Sequence, residues 1–230
     1  MTLSDDLRQE IGAIFRESWS TRNGVKVPEP EELKLNNDAV ELNATVLYAD
    51  LAASTGLVDG YKRPFAAEIY KSYLHSAAKI IRSEGGTITA YDGDRIMATF
   101  IGDNKNTAAA RTALKINFVV REVINPALKA QYVGTTYTLK QTVGIDTSRL
   151  FVARTGIRGS NDLVWVGRAA NYAAKLCDLP PAYPTRITAS VYNKLDNSVK
   201  FTNGKAMWEA RSWTAMSGQT IYRSTWWWPV

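Results

Sequence analysis

The chain has 230 residues, 45% of them hydrophobic, with 28 Lys and Arg against 22 Asp and Glu and a net charge of +6. That is enough apolar matter for one large domain with a buried core, or for a domain with an arm. No run of about 18 apolar residues exists, which excludes a membrane-spanning helix, and the single cysteine, Cys177, excludes an internal disulfide and a cysteine zinc site.

The N-terminus shows no signal-peptide pattern, so a cytoplasmic protein without stable membrane insertion is expected. The basic excess favours an anionic partner, although no basic run exceeds two residues. Ser4 is placed to cap a helix that opens with Asp5 and Asp6, acids suited to the positive end of its dipole. Leu7, Ile11, Ile14, Phe15 and Trp19 share one face of it. Residues 22–24 stop it and 27–30 form a Pro-containing linker, so residues 1–38 read as an arm and 39–230 as a domain. The apolar run 44–50 predicts a buried strand ending in Asp50, and 51–59 a short helix or turn.

Pro64 opens a helix whose buried face is Phe65, Ile69, Tyr73, Ala77, Ile80 and Ile81, and Gly85-Gly86 ends it. His75 falls off that stripe. Residues 87–91 and 96–101 read as a hairpin about Asp92-Gly93. A helix over 107–123 follows, then a strand over 137–145 with 150–153 as its hairpin partner and a polar loop over 154–162. The helix carrying Asn171 and Lys175 stops before Pro180-Pro181. Residues 185–188 form a strand, Thr188 caps a short helix to 195, and 199–202, 206–213 and 219–226 read as strands. The Trp-rich end reads as a packed or partner-covered terminus. The order β-α-β-β-α-β predicts an α+β, ferredoxin-like or palm core: an antiparallel-rich sheet with helices on one face.

A carboxylate at the tip of a buried strand is costly unless it is paired or holds a metal. Asp50 and Asp94, on neighbouring strand ends, form an oxygen pair suited to Mg²⁺ or Mn²⁺. The small residues after Asp50, with Ser54 and Thr55 among them, are placed to aim backbone N–H groups at phosphate. Asn171 and Lys175 are four apart and share a helix face.

Three stretches in order, Leu47–Thr55, Gly85–Phe100 and Gly167–Leu176, resemble the metal-binding and catalytic motifs of class III nucleotidyl cyclases. The resemblance covers roughly 40–223 and implies that family's catalytic core. It implies two divalent ions on Asp50 and Asp94, assisted by the Leu51 carbonyl. It implies that Asn171 orients a ribose and that Lys175, where the family has Arg, stabilises phosphate charge, with Arg168 one turn earlier able to share the work. In the family these two groups come from the subunit opposite the aspartates, which implies a head-to-tail homodimer.

The purine-reading positions of adenylyl cyclases are Ala90 and Val164 in this chain. Tyr48 and Arg95 would fill purine space, as in the bacterial pyrimidine cyclases of the Pycsar anti-phage system, which the chain resembles most. Guanidinium only donates, so Arg95 aimed at the position-4 edge favours uracil over cytosine. The expectation is UTP converted to cyclic UMP, a messenger for a separate cyclic-nucleotide-sensing effector, with no nucleic-acid partner. CTP, ATP and an inactive nucleotide-binding module remain open at this stage.

Overall fold

The computed structural model describes residues 2–230. They form two compact units: the chain up to Asn43 with Arg149–Gly167, and Ala44–Ser148 with Arg168–Val230.

Helix α1 (Leu3–Arg16) is capped by Thr2, not Ser4. The Thr2 hydroxyl oxygen accepts the Asp5 N–H at 3.3 Å and the Asp5 carboxylate accepts the Thr2 N–H at 3.1 Å. Ser4 lies already inside the helix and cannot make this reciprocal box. The helix ends well before residue 22 because β1 (Ser20–Asn23) is drawn into a parallel pairing with the start of β2 (Asp38–Leu51). Trp19 thereby leaves the helical face and stands edge-on to Phe151, 4.8 Å between ring centres. No residue of α1 is buried.

The second unit begins with the rest of β2 and continues through α2 (Ser54–Gly60) and α3 (Arg63–Ser83) to the hairpin β3 (Thr87–Asp92) and β4 (Arg95–Phe100). The apolar face expected for α3 is buried and His75 is exposed. Helix α4 (Lys105–Val119) does not stop near 123. It runs through a wide π-turn (Val120–Ile124) into α5 (Asn125–Gln131). Pro126, which lacks an N–H and crowds the preceding turn, sits just past that widening, so the helix passes over it.

Strand β5 (Gln141–Ile157) corrects two expectations: residues 137–140 are not strand, and 146–149 are not a turn. Asp146 is wholly buried, and the Thr147 hydroxyl donates to the Ala44 carbonyl at 3.1 Å. Polar side chains satisfied inside a sheet carry the same sequence signature as a turn. The true hairpin partner is β6 (Ser160–Val166), which pairs with the end of β5 in the first unit.

The second unit then adds α6 (Arg168–Cys177), β7 (Thr185–Thr188), the one-turn helices α7 (Ala189–Tyr192) and α8 (Asn197–Lys200), and the ribbon β8 (Phe201–Thr202) with β9 (Lys205–Ala206). It closes with β10 (Glu209–Trp213) and β11 (Gln219–Ser224). Val199, expected in a strand, is helical and fully buried, because its side chain joins the core beside α4. Thr188 holds the N-cap position of α7, but its hydroxyl donates to Asp146 instead of capping.

The sheet order is β10-β11-β7-β5-β2-β4-β3. Its β5-β2-β4-β3 run is the ferredoxin-like core expected from the element order. Pairing is antiparallel for β2–β4, β3–β4, β7–β11 and β10–β11, and parallel for β5–β7.

Leu47, Ala49, Leu51, Val143 and Ile145 bury with Ile69, Tyr73, Ile81 and Leu114 of α3 and α4 in one core. Gly144, between Val143 and Ile145, faces the other way. A Cβ there would lie 2.1 Å from the Ala173 carbonyl oxygen and 2.7 Å from the Cys177 nitrogen. Helix α6 therefore lies directly on the opposite face, where Leu176, Trp213 and Ile221 make a second, smaller core. Helices cover both faces, not one, because Gly144 removes the side chain that would hold α6 off.

The Trp-rich end packs along α4. The Trp228 N–H donates to the Leu114 carbonyl at 3.2 Å, and the Asn117 amide donates to that of Trp226 at 2.9 Å. No helix among the described residues is long and apolar enough to cross a membrane.

Candidate active site

The β2–β4 register sets Asp50 directly opposite Arg95 and Tyr48 opposite Met97. Alternation along β2 puts Tyr48 and Asp50 on the face away from Leu47, Ala49 and Leu51. Nη2 of Arg95 donates to Asp50 Oδ2 at 2.9 Å and to Asp178 Oδ1 at 2.7 Å. Its guanidinium carbon is 5.8 Å from the centre of the Tyr48 ring.

The two loop residues of the β3–β4 hairpin are Gly93 and Asp94, not Asp92 and Gly93. Asp92 pairs with Arg95 in the ladder, and Gly93, with φ +60°, takes the first loop position that only glycine fills without strain. Asp94 is thus a turn residue, held at the tip beside Asp50. Burial raises the Asp50 carboxyl above the usual aspartate range; Arg95 opposes this and the neighbouring charge of Asp94 adds to it. Burial works against the charge of Arg95, yet the Asp50 and Asp178 carboxylates outweigh it and hold its proton on.

Oδ2 of Asp94 is buried and meets no hydrogen-bond donor among the described residues. A buried carboxylate oxygen without a partner, next to a second carboxylate, is a donor set that fits a hard divalent cation. No group of three or more His, Cys, Asp or Glu side chains gathers for a metal among the described residues. A further protein ligand at this tip would be a main-chain oxygen such as that of Leu51, the residue after Asp50.

The chain leaving Asp50 is held by two hydrogen bonds before it turns into α2. The Tyr73 hydroxyl donates to the Asp50 carbonyl at 3.3 Å, and the Ala52 N–H donates to that of Lys140 at 2.9 Å. Ala53 is left-handed at φ 60° and ψ 37°, an arrangement costing a non-glycine residue about 1 kcal/mol, and starts α2 at Ser54 and Thr55. These two line a cleft of about 340 Å³ with Asp50, Thr142, Cys177 and Asp178. A cleft of about 400 Å³ between α3 and α5 is larger but holds no carboxylate pair. Burial pushes the Cys177 thiol up to about 12, and its sulfur lies 3.1 Å from the Thr142 carbonyl oxygen. It is a protonated wall residue, not a nucleophile.

Asn171 and Lys175 face solvent, away from the buried stripe of Ala169, Ala173, Leu176 and Cys177. Nζ of Lys175 lies 3.7 Å from Met216 Sδ. No hydrogen bond or ion pair among the described residues ties Asn171 or Lys175 to either aspartate. Arg168 is engaged elsewhere. Its Nε and Nη2 donate to Asp146 at 3.0 and 3.2 Å, and Nη2 also reaches the Thr147 carbonyl at 2.8 Å. Asp146 is the residue that sequence reasoning passed over. Its buried pairing pins the start of α6 to β5 and β7; the legible signal was an acid after an apolar run, answered by an arginine just after Gly167.

The fold and this carboxylate-bearing strand tip define a class III nucleotidyl cyclase. The adenylyl cyclase CyaB from P. aeruginosa superposes with a TM-score of 0.68 at 21% identity, over 81% of this chain and 95% of that one. The guanylyl cyclase Cya2 does so at 0.68 and 19%, over 80% and 92%. No protein-family model matches the chain. Among its relatives are uridylate cyclases from Xanthomonas perforans, 54% identical over 231 residues, and Burkholderia cepacia, 54% over 232, each matched over the whole of both chains. A uridylate cyclase from Rhodovulum sp. (strain MB263) is 39% identical over 99% of this chain and 98% of its own. The chain belongs to the uridylate cyclase family.

Proposed function

We propose that the protein converts UTP to 3′,5′-cyclic UMP and pyrophosphate, with residues 39–230 as the catalytic part and 1–38 as an arm. The ribose 3′-hydroxyl gives up its proton to solvent as its oxygen bonds to the α-phosphorus, the bond from that phosphorus to the bridging oxygen breaks, and pyrophosphate leaves with that oxygen. No covalent enzyme intermediate is needed, so the protein's task is positioning and charge stabilisation. Asp50 and Asp94, with the Leu51 carbonyl, would hold two Mg²⁺ or Mn²⁺ ions. When bound, such ions polarise the attacking hydroxyl and neutralise the triphosphate. Ser54 and Thr55 present the first N–H groups of α2 to phosphate.

Asn171 and Lys175 orient the ribose and meet phosphate charge from a second copy of the chain. What supports this is that both are exposed and neither touches the aspartates of its own chain. Lysine supplies charge without the planar fork of arginine. Arg168 acts through Asp146, fixing the helix that carries them.

The observation that carries the choice of UTP is the cross-strand pairing that sets Arg95 against Asp50, beside the Tyr48 ring. At the position-4 edge of the base, a donor-only guanidinium matches the carbonyl of uracil and opposes the amine of cytosine. The name shared by the full-length relatives agrees. The product would act in the cell as an anti-phage messenger on a separate effector. Incubating the protein with Mn²⁺ and each of the four nucleoside triphosphates tests the reading by chromatography of the products. Cyclic UMP as the dominant product is expected; exclusive cyclic AMP would overturn it.

A further inference from the structure

Arg95 reaches two carboxylates through one nitrogen. Asp50 Oδ2 is 2.9 Å from Nη2 and has a side chain only 18% exposed; Asp178 Oδ1 is 2.7 Å away on a side chain 59% exposed. Asp178 follows the last residue of α6, whose seat against β5 is set by Gly144. The two acids therefore approach Arg95 from separate elements.

Asp50 is also the residue that would hold a cation, so a divalent ion and the guanidinium compete for one carboxylate. Two positive groups on one carboxylate repel, and the more highly charged ion displaces the other. Asp178 is then the acid that still holds the guanidinium.

We infer that Asp178 is the positioning residue for Arg95: it keeps the guanidinium at the strand tip, beside Tyr48, when a divalent cation takes Asp50. The inference rests on the assignment of Asp50 as a cation ligand and of Arg95 as the base-reading group. It places Asp178 in the specificity machinery without contact with the reacting atoms. It also gives Asp178 a role before any nucleotide arrives. By sharing Arg95, Asp178 weakens the internal ion pair that shields Asp50.

The test is Mn²⁺ binding to the full chain without nucleotide, read from the signal of free Mn²⁺ in electron paramagnetic resonance. Arg95→Gln is expected to tighten Mn²⁺ binding, because it removes the competing cation. Asp178→Asn is expected to weaken it about two- to fivefold, the range a partly exposed ion pair carries, because Arg95 then pairs with Asp50 alone. In the Arg95→Gln background the Asp178 substitution is expected to have no further effect. An equal loss in both backgrounds overturns the inference, since Asp178 would then act only through its own charge.

In turnover, Asp178→Asn is expected to raise KM for UTP and to narrow the preference for UTP over CTP while kcat holds, with Asp178→Glu recovering both. A fall in kcat alone, with the preference intact, overturns the positioning role. If the protein cyclises a nucleotide other than UTP, the Mn²⁺ cycle still decides the coupling of Asp178 to Arg95. If the cycle fails while UTP is turned over, only this inference falls.

Discussion

Glu84 shows how one buried acid can tie two elements together. Its side chain is 6% exposed and accepts Arg111 Nε at 2.5 Å and Lys115 Nζ at 2.7 Å. Burial works to raise its carboxyl, but the two cations outweigh this and hold it below the ordinary glutamate value of 4.5. A carboxyl lowered by folding stabilises the native state above its unfolded pKa, and that contribution fades as pH falls through the folded value. Glu84→Gln is expected to lower stability at pH 7 by about 1–2 kcal/mol, and its difference from the parent is expected to shrink steadily below pH 4.5. Urea melts at a series of pH values measure both. The carboxylates at the strand tip follow the opposite logic. Burial leaves Asp50 raised and Asp94 Oδ2 without a donor, which sacrifices stability at the strand tip proposed to hold the divalent ions.

At the scale of elements, the seat of α6 decides what the site can do. This helix carries Asn171 and Lys175 outward, ends in Cys177 against the cleft, and leads into Asp178. It rests on β5 only because Gly144 has no side chain, and it is fastened at its start by Arg168 on the buried Asp146. Gly144→Ala puts a methyl carbon into the backbone of the helix, where neither partner can yield without moving α6. It is expected to lower stability by about 2–3 kcal/mol and to reduce turnover more than that loss of folded protein explains. Thermal melts and activity per folded molecule, compared with an Ala substitution on an exposed position of α6, check the two effects separately. The wide turn at Val120–Ile124 shows the same economy: a local departure from α geometry lets one helix continue past a proline.

For the whole molecule, the proposed function draws half of each site from a second copy of the chain. Asp50 and Asp94 sit at a strand tip, while Asn171 and Lys175 point to solvent on the flank of α6. If two copies assemble head to tail, each supplies one half to the other. Asp50→Ala and Lys175→Ala chains are each expected to be folded dimers without measurable turnover. Mixed in equal amounts, they are expected to recover about a quarter of the parent activity, since half the dimers are mixed and each has one whole site. Activity of the mixture, with heterodimers confirmed by differently sized tags, measures this; no recovery would rule out shared sites.

Much of this was open to reading in the amino-acid order because it is local. The strand ending in Asp50, the buried stripe of α3, the hairpin, and the spacing of Asn171 and Lys175 on one helix face all follow from periodicity and short-range turn chemistry, and the order of strands and helices pointed to the ferredoxin-like core. Other features depended on residues far apart in the chain. Asp146 and Thr147 read as a turn because polar residues in sequence do not reveal their partners; Thr45, Ala44, Arg168 and Thr188 supply them only after folding. The placement of α6 on the second face hangs on one glycine whose neighbours lie about thirty residues onward. The meeting of Arg95 with Asp50 and Asp178 was likewise a matter of register and packing, since long-range ion pairs carry no periodic signal.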